Sequence, residues 1–460
     1  MERRATRELL DWIARPDRKP LVLRGARQVG KTWLAREVSG RSGLTLMELN
    51  FERDPQAAAL FDVADPRAVM RGVEAYLGRR ARPKETILFL DEIQAAPEVL
   101  ARLRWFAEEL PELPVVAAGS LLDFALADHR FSMPVGRISY LHLEPMSFEE
   151  FLAAANEDSL LEWVRTATLG HPIPLPLHER LLDLLRDYML VGGLPAAVQA
   201  WCHERSYLEV SRVQQDLLAT YRDDFARYAG RVPVRRLDRV LTAVPRLLGR
   251  KFMYSQVDPE QRAAALRQAL DLLCKARLCH RVQASDSTGV PLGAEVRERT
   301  FKVVLADVGL ASAALGLSPR SLRSLRSLRA AELVNEGGLA EQLVGQALRG
   351  SELSFIEPAL YYWTRRKHGA QAEVDYVIQH DTSVVPVEVK AGTTGRLRSL
   401  HLFMARRGLP LAVRLAAHPA SLVDVQARTA TGHEARYQLL SLPLYLAGQL
   451  PRWLDEVDGV

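Results

Sequence analysis

Over the first 150 residues, short apolar runs alternate with stretches in which apolar residues return every three or four positions. Leu21-Val-Leu leads into a glycine-rich loop and then a helix-like stretch from 31 to about 38. Leu44-Thr-Leu-Met-Glu-Leu, Thr86-Ile-Leu-Phe-Leu-Asp91, Val115-Val-Ala-Ala-Gly-Ser120 and Ile138-Ser-Tyr-Leu-His-Leu143 read as further strands, and residues 100–110 as a helix. This alternation predicts a parallel sheet with helices on both faces. From Ser147 helical periodicity takes over, as far as about Arg281. Residues 282–304, with Ser285-Asp-Ser-Thr-Gly289 between short apolar runs, predict a β-hairpin with a loose tip. A Ser-Leu-Arg repeat in 319–329 reads as a linker or exposed helix; a helix over 339–348 then precedes a strand-rich segment, 361–389. The expected class is α/β, with domains at 1–150, 151–325 and 326–460.

The 460 residues suit about three domains, and 48% hydrophobic with 25% charged residues is the balance of a globular protein. No apolar run approaches the ~18 residues of a membrane span, and no apolar segment follows the basic N-terminus as a signal peptide requires. Cys202, Cys274 and Cys279 make neither a disulfide framework nor a CxxC metal site. The expected location is the cytoplasm, with no membrane partner. The net charge of +5 is unevenly spread: residues 201–330 hold 23 Lys/Arg against 13 Asp/Glu, and the remainder 38 against 43. A basic centre between acidic flanks predicts contact with a polyanion, DNA first among them. Only 8 of the 61 basic residues are Lys, an arginine bias that a GC-rich genome also produces.

Gly25-Ala26-Arg27-Gln28-Val29-Gly30-Lys31-Thr32 fits GxxxxGK[ST] between a strand and a helix. In that setting backbone N–H groups face phosphate oxygens, Lys31 reaches the β- and γ-phosphates, and Thr32 ligates Mg²⁺. About sixty residues on, an apolar strand ends in Asp91-Glu92, two carboxylates that are costly there without a cation. Asp91 is expected in the Mg²⁺ shell, and Glu92 is expected to polarise the attacking water, which argues for hydrolysis of ATP. Ser120, at the next strand end, is either a sensor of the γ-phosphate or the N-cap of a helix from Leu121. Arg137 is a candidate trans-acting arginine finger or a sensor, with Arg130 as rival and an ordinary surface role as alternative.

These motifs resemble a family of bacterial and archaeal AAA-type P-loop ATPases that carry a C-terminal, restriction-endonuclease-like domain of unknown function. Further matching residues are Leu49-Asn-Phe-Glu52, Gly136-Arg137, Glu144-Pro-Met-Ser-Phe-Glu-Glu-Phe151, Gly192-Gly-Leu-Pro195, Tyr221-Arg-Asp-Asp224, Asp307-Val-Gly-Leu310, Glu373-Val-Asp375 and Pro386-Val-Glu-Val-Lys390. They run in order over nearly the whole chain. The resemblance implies a helical and winged-helix centre, with residues 259–273 holding the second helix and 282–304 the wing. Such a module either enters a DNA groove or packs as a lid on the nucleotide domain.

In the C-terminal part, Asp375, Glu388 and Lys390 match the D…ExK core of PD-(D/E)xK nucleases. Residues two apart on a strand point the same way, which sets Lys390 beside Glu388. Asp375 and Glu388, with Glu341 from the preceding helix, are expected to hold a second Mg²⁺ or Mn²⁺, and Lys390 to orient a water. A structural Glu388–Lys390 ion pair is the alternative. The function expected overall is Mg²⁺-dependent ATP hydrolysis coupled to DNA binding and processing. The competing reading is an ATP-switched regulatory or interaction protein with a silent nuclease-like domain. The sequence leaves homo-oligomerisation open.

Overall fold

The computed structural model describes residues 2–120, 134–228, 232–316, 336–367, 370–392, 396–430 and 432–458. They form two units. The first comprises Met1–Glu144 with two short pieces from later in the chain, Lys275–Arg277 and Leu353–Glu357. Its elements are α1 (Arg4–Ala14), β1 (Leu21–Arg24), α2 (Lys31–Ser42), β2 (Thr45–Asn50), α3 (Pro66–Leu77), β3 (Thr86–Asp91), α4 (Glu98–Glu109), β4 (Val115–Ala118) and β5 (Ser139–His142). The five strands are all parallel, in the order β2-β3-β4-β1-β5. Every residue of β3 and β4 is buried, as strands covered on both faces must be. The parallel sheet expected from the apolar runs is present. All five carboxyl ends lie on one side, so the loops after β1, β3 and β4 share an edge.

The second unit holds the rest, Pro145–Cys274, Leu278–Glu352 and Pro358–Val460. Its helical part runs α5 (Phe148–Ala154), α6 (Asp158–Thr166), α7 (Leu175–Val191), α8 (Pro195–Glu204), α9 (Tyr207–Asp224), α10 (Val234–Ala243), α11 (Tyr254–Val257) and α12 (Ala263–Lys275), whose last residue counts with the first unit. There follow β6 (Cys279–Ser285), β7 (Val296–Leu305), α13 (Val308–Ala314), α14 (Glu336–Ser351), β8 (Leu360–Lys367), β9 (Ala370–His380), β10 (Ser383–Val389), α15 (Arg398–Arg407), β11 (Leu411–Ala416), β12 (Ser421–Arg428), β13 (Glu434–Pro443) and α16 (Leu450–Asp458). Eight strands make one mixed sheet, β12-β13-β11-β10-β9-β8-β6-β7.

That order corrects one expectation and bears on another. The hairpin at 282–304 is not a free wing: Val282, Gln283 and Ala284 of β6 pair in parallel with Leu360, Tyr361 and Tyr362 of β8. Strands from both sides of the boundary expected at 325 share this sheet. The physical reason lies in β7, whose last five residues, Phe301-Lys-Val-Val-Leu305, are all buried. An exposed wing buries one face at most, whereas this strand is covered on both. The Ser-Leu-Arg repeat and Arg130 lie outside the described residues.

Three of the matching motifs converge on one buried knot in the second unit. Ser147 and Glu150 form a reciprocal capping box that starts α5. The amide of Met146 donates to the carbonyl of Gly193, and the Tyr188 hydroxyl donates to the Met146 carbonyl. Asp307 caps α13, accepting from the Leu310 amide at 2.9 Å, and it also accepts from the Gly193 amide at 2.6 Å. Burial pushes the Asp307 carboxyl up to about 6, against which these amide donors work. Gly192 lies at φ +79°, and a Cβ there would stand 2.2 Å from Asp307 Oδ1. Gly192→Ala is therefore expected to cost about 3 kcal/mol or more in denaturant unfolding, combining backbone strain with displacement of a buried carboxylate.

Candidate functional site

The loop between β1 and α2 carries Gly30 at φ +98° in the N-cap position of α2, a left-handed conformation suited to glycine. The first helical residues are then Lys31 and Thr32, at the N-terminus where backbone N–H groups are free for an anion. Lys31 is buried, and its ammonium donates to the carbonyls of Gly25 at 3.0 Å and Ala26 at 2.8 Å. Burial pulls Lys31 down to about 8; Glu92 and Asp91 oppose that, while Arg277 and Arg27 add to it. Of the remaining loop residues, Val29 is buried, Arg27 is half-buried, and Gln28 is exposed with φ +67°.

Strand β4 separates β1 from β3, so the ends of these three strands stand side by side. At the end of β3 the Thr32 hydroxyl donates to Asp91 Oδ2 at 3.0 Å, and the Asn50 amide donates to the same oxygen at 3.1 Å. Asp91 is held above its ordinary range, first by burial and then by the neighbouring Glu92 charge. A hydroxyl and a carboxylate 3 Å apart, both hard oxygen donors, suit Mg²⁺. Glu92 sits at φ +50° and accepts from the Gln94 amide. Ser120, just past β4, is buried, and among the described residues its hydroxyl has no partner. The helix it would cap, from Leu121, lies outside the described residues. The expected residues Gly25 to Thr32, Asp91, Glu92 and Ser120 therefore gather at one sheet edge.

Arg137 does not join them. Ser139 pairs with Leu21 at the start of β1 and His142 with Arg24 at its end. Arg137 thus precedes β5 at the opposite edge, roughly 16 Å of strand from the loop. There its guanidinium donates to Glu108 Oε1 at 2.7 Å. That placement sets it apart from its own chain's loop, and the role expected for it is a trans-acting one.

Several residues of this edge escaped the sequence reading. Buried Arg3 donates to the Val29 carbonyl at 2.9 Å and the Glu144 carbonyl at 2.7 Å, tying the loop to the end of the unit. Asn50 stood in a matching motif without an assigned role. Arg277, buried and 3.0 Å from Glu357, counts with this unit although it follows the helical region in the chain. His142, at the end of β5, is pushed down to about 4 by burial and then by Arg277, and so stays neutral.

In the second unit, the C-terminal set is close-packed but differently occupied. Lys390 donates to Glu388 Oε1 at 2.6 Å, and Asp375 Oδ2 accepts from the Val389 amide at 2.8 Å. Lys302 of β7, 3% exposed, places its ammonium 2.8 Å from Glu341, 2.6 Å from Glu373 and 3.7 Å from Asp375. Burial alone would lower its pKa, but Glu341, Asp375 and Glu373 outweigh burial and hold it well above the ordinary value. Glu341 and Glu388 are both raised, chiefly by burial. Among the described residues, no three His, Cys, Asp or Glu side chains are arranged to hold a metal ion. Lys302 thus stands among the donors expected for a second metal. The signal for Lys302 was a single charge inside the apolar run Phe301–Leu305.

Among the described residues, no helix is long and apolar enough to cross a membrane. Residues 182–321 and 336–443 match two domains of unknown function, DUF8612 and DUF4143. Similar solved structures include the Walker-type ATPase PABY2304 of Pyrococcus abyssi, at 17% identity and a TM-score of 0.42, covering 68% of this chain and 95% of that one. The Aeropyrum pernix ORC2 protein in ADPNP–ADP complexes follows at 13% identity and 0.36, covering 71% and 96%. The ORC1 protein of the same organism in complex with DNA has 17% identity and 0.27, covering 69% and 92%. No curated protein sequence matches the chain. Residues 17–152 match the AAA domain family, and with the loop and strand-end carboxylates described above, the first unit carries an AAA-type P-loop domain.

Proposed function

We propose that the protein binds ATP with Mg²⁺ and hydrolyses it at the carboxyl edge of the five-stranded sheet. The observation that carries this reading is the Thr32–Asp91 contact at 3.0 Å, with Lys31 beside it at the start of α2. Thr32 and Asp91 would hold the Mg²⁺, which neutralises phosphate charge. Lys31 exchanges the carbonyls of Gly25 and Ala26 for phosphate oxygens. The α2 N-terminus receives the phosphates on its N–H groups. Glu92 accepts the proton of the attacking water, with the Gln94 amide orienting its carboxylate. Ser120, between the other two strand ends, offers its hydroxyl to the γ-phosphate.

We further infer that DNA is bound, on phosphates, by exposed arginines of the helical region. Arg235, Arg246, Arg250, Arg262 and Arg267 are all exposed, on or beside α10 and α12. Cleavage of that DNA is not part of this reading, because Lys302 already occupies the carboxylate cluster.

Lys31→Ala should abolish nucleotide binding in a fluorescent-nucleotide titration. Glu92→Gln should retain binding while turnover falls by about 100-fold or more; turnover at the wild-type rate would refute the assigned role of Glu92. The pH dependence follows from Lys31, whose value of about 8 must rise when it meets phosphate. Affinity is therefore flat below that value and falls above it, by up to about tenfold per pH unit. Measurement between pH 7 and 9.5 checks this, and a flat profile in that range would contradict it. For DNA, log affinity against log salt should slope by about −0.9 for each phosphate neutralised. Each phosphate-touching arginine replaced by Ala should reduce that slope by about one. Binding indifferent to salt would remove the electrostatic reading.

A further inference from the structure

We infer that Lys302 is the resident cation of the C-terminal carboxylate cluster, so that this cluster takes no divalent metal and does not cut DNA. The cluster is drawn from three elements: Glu341 from α14, Glu373 and Asp375 from β9, and Glu388 from β10. Two residues apart on β9, Glu373 and Asp375 share a face, and Lys302 meets both, together with Glu341. Its ammonium also lies 5.2 Å from the centre of the Tyr362 ring, which supplies a further favourable contact for a desolvated cation.

Geometry separates this from an ordinary surface ion pair. Lys302 is 3% exposed, so a four-carbon stem and its charge are committed to the interior. A buried ammonium persists only where carboxylates compensate its lost hydration, and carboxylates persist there only with a cation. The two needs meet here without a metal. Lys390 does the same for one oxygen of Glu388 at 2.6 Å. A Mg²⁺ held by Asp375 and Glu341 at about 2.1 Å would set a like charge beside the buried ammonium, which already meets both carboxylates. The position of Lys302 on β7 explains why the hairpin belongs to this sheet: the ammonium fastens β7 to α14 and β9.

The test is a Mn²⁺ titration of nucleotide-free full-length protein, followed by the paramagnetic signal of the free ion. Wild type and Asp375→Asn should give the same isotherm, and neither should cleave duplex or single-stranded DNA in Mg²⁺ or Mn²⁺. Lys302→Met should melt well below wild type, and Mn²⁺ should raise its Tm by more than it raises that of wild type. An equivalent of Mn²⁺ bound by wild type and lost in Asp375→Asn would overturn the inference. So would metal-dependent cleavage lost in the same variant, or a Lys302→Met protein as stable as wild type. Should Lys302→Met fail to fold, the wild-type and Asp375→Asn isotherms decide alone.

Discussion

Charge taken out of water must be answered by charge or by hydrogen bonds, and both units of this protein are arranged around that requirement. In the first unit, the carboxylate of Asp91 is answered by Thr32 and Asn50, and the ammonium of Lys31 by two carbonyls of its own loop. In the second, Asp307 is answered by the amides of Gly193 and Leu310, and Lys302 by three carboxylates. The groups look alike on paper, yet they differ in one respect. Asp307 and Lys302 are satisfied by side chains and amides from distant elements, which fixes the fold. Lys31 is satisfied by carbonyls of the loop it must rearrange, an arrangement that phosphate oxygens can replace.

The nucleotide edge was legible in the sequence because its chemistry is local. A glycine loop after a strand, and two carboxylates ending an apolar run, each state their placement within ten residues. The strand order then sets the loops after β1, β4 and β3 side by side. Arg137 has no local signal of this kind. Its neighbours in the chain say nothing about which end of β5 they occupy, and the register places it at the far edge against Glu108. Arg3 and Arg277 carry no local signal at all, since the partners of Arg3 lie 26 and 141 positions away and that of Arg277 lies 80 away.

The hairpin shows how a pattern read correctly can still be given the wrong setting. Two strands joined by a polar tip were expected and are present. Their affiliation was decided by burial of β7 on both faces and by Lys302, whose partners are 39 to 73 positions onward. The motifs Glu144–Phe151, Gly192–Pro195 and Asp307–Leu310 teach the converse. They match a family without touching the nucleotide edge, because they hold one another: a capping box, a turn and an N-cap meeting at Asp307.

Charge counts need the same correction before they are read as a binding surface. Residues 201–330 are rich in arginine, but a guanidinium already paired offers little to a phosphate. Arg212, Arg222, Arg239, Arg281 and Arg297 are paired with Glu209, Asp238, Asp258, Asp271 and Asp286. Arg277 and Lys302 are buried. Arg235, Arg246, Arg250, Arg262 and Arg267 are exposed and fall together in the stretch from the start of α10 to α12. Such a concentration over some thirty residues is a stronger argument for a polyanion than the regional sum, because counterion release depends on how many phosphates one face can reach together.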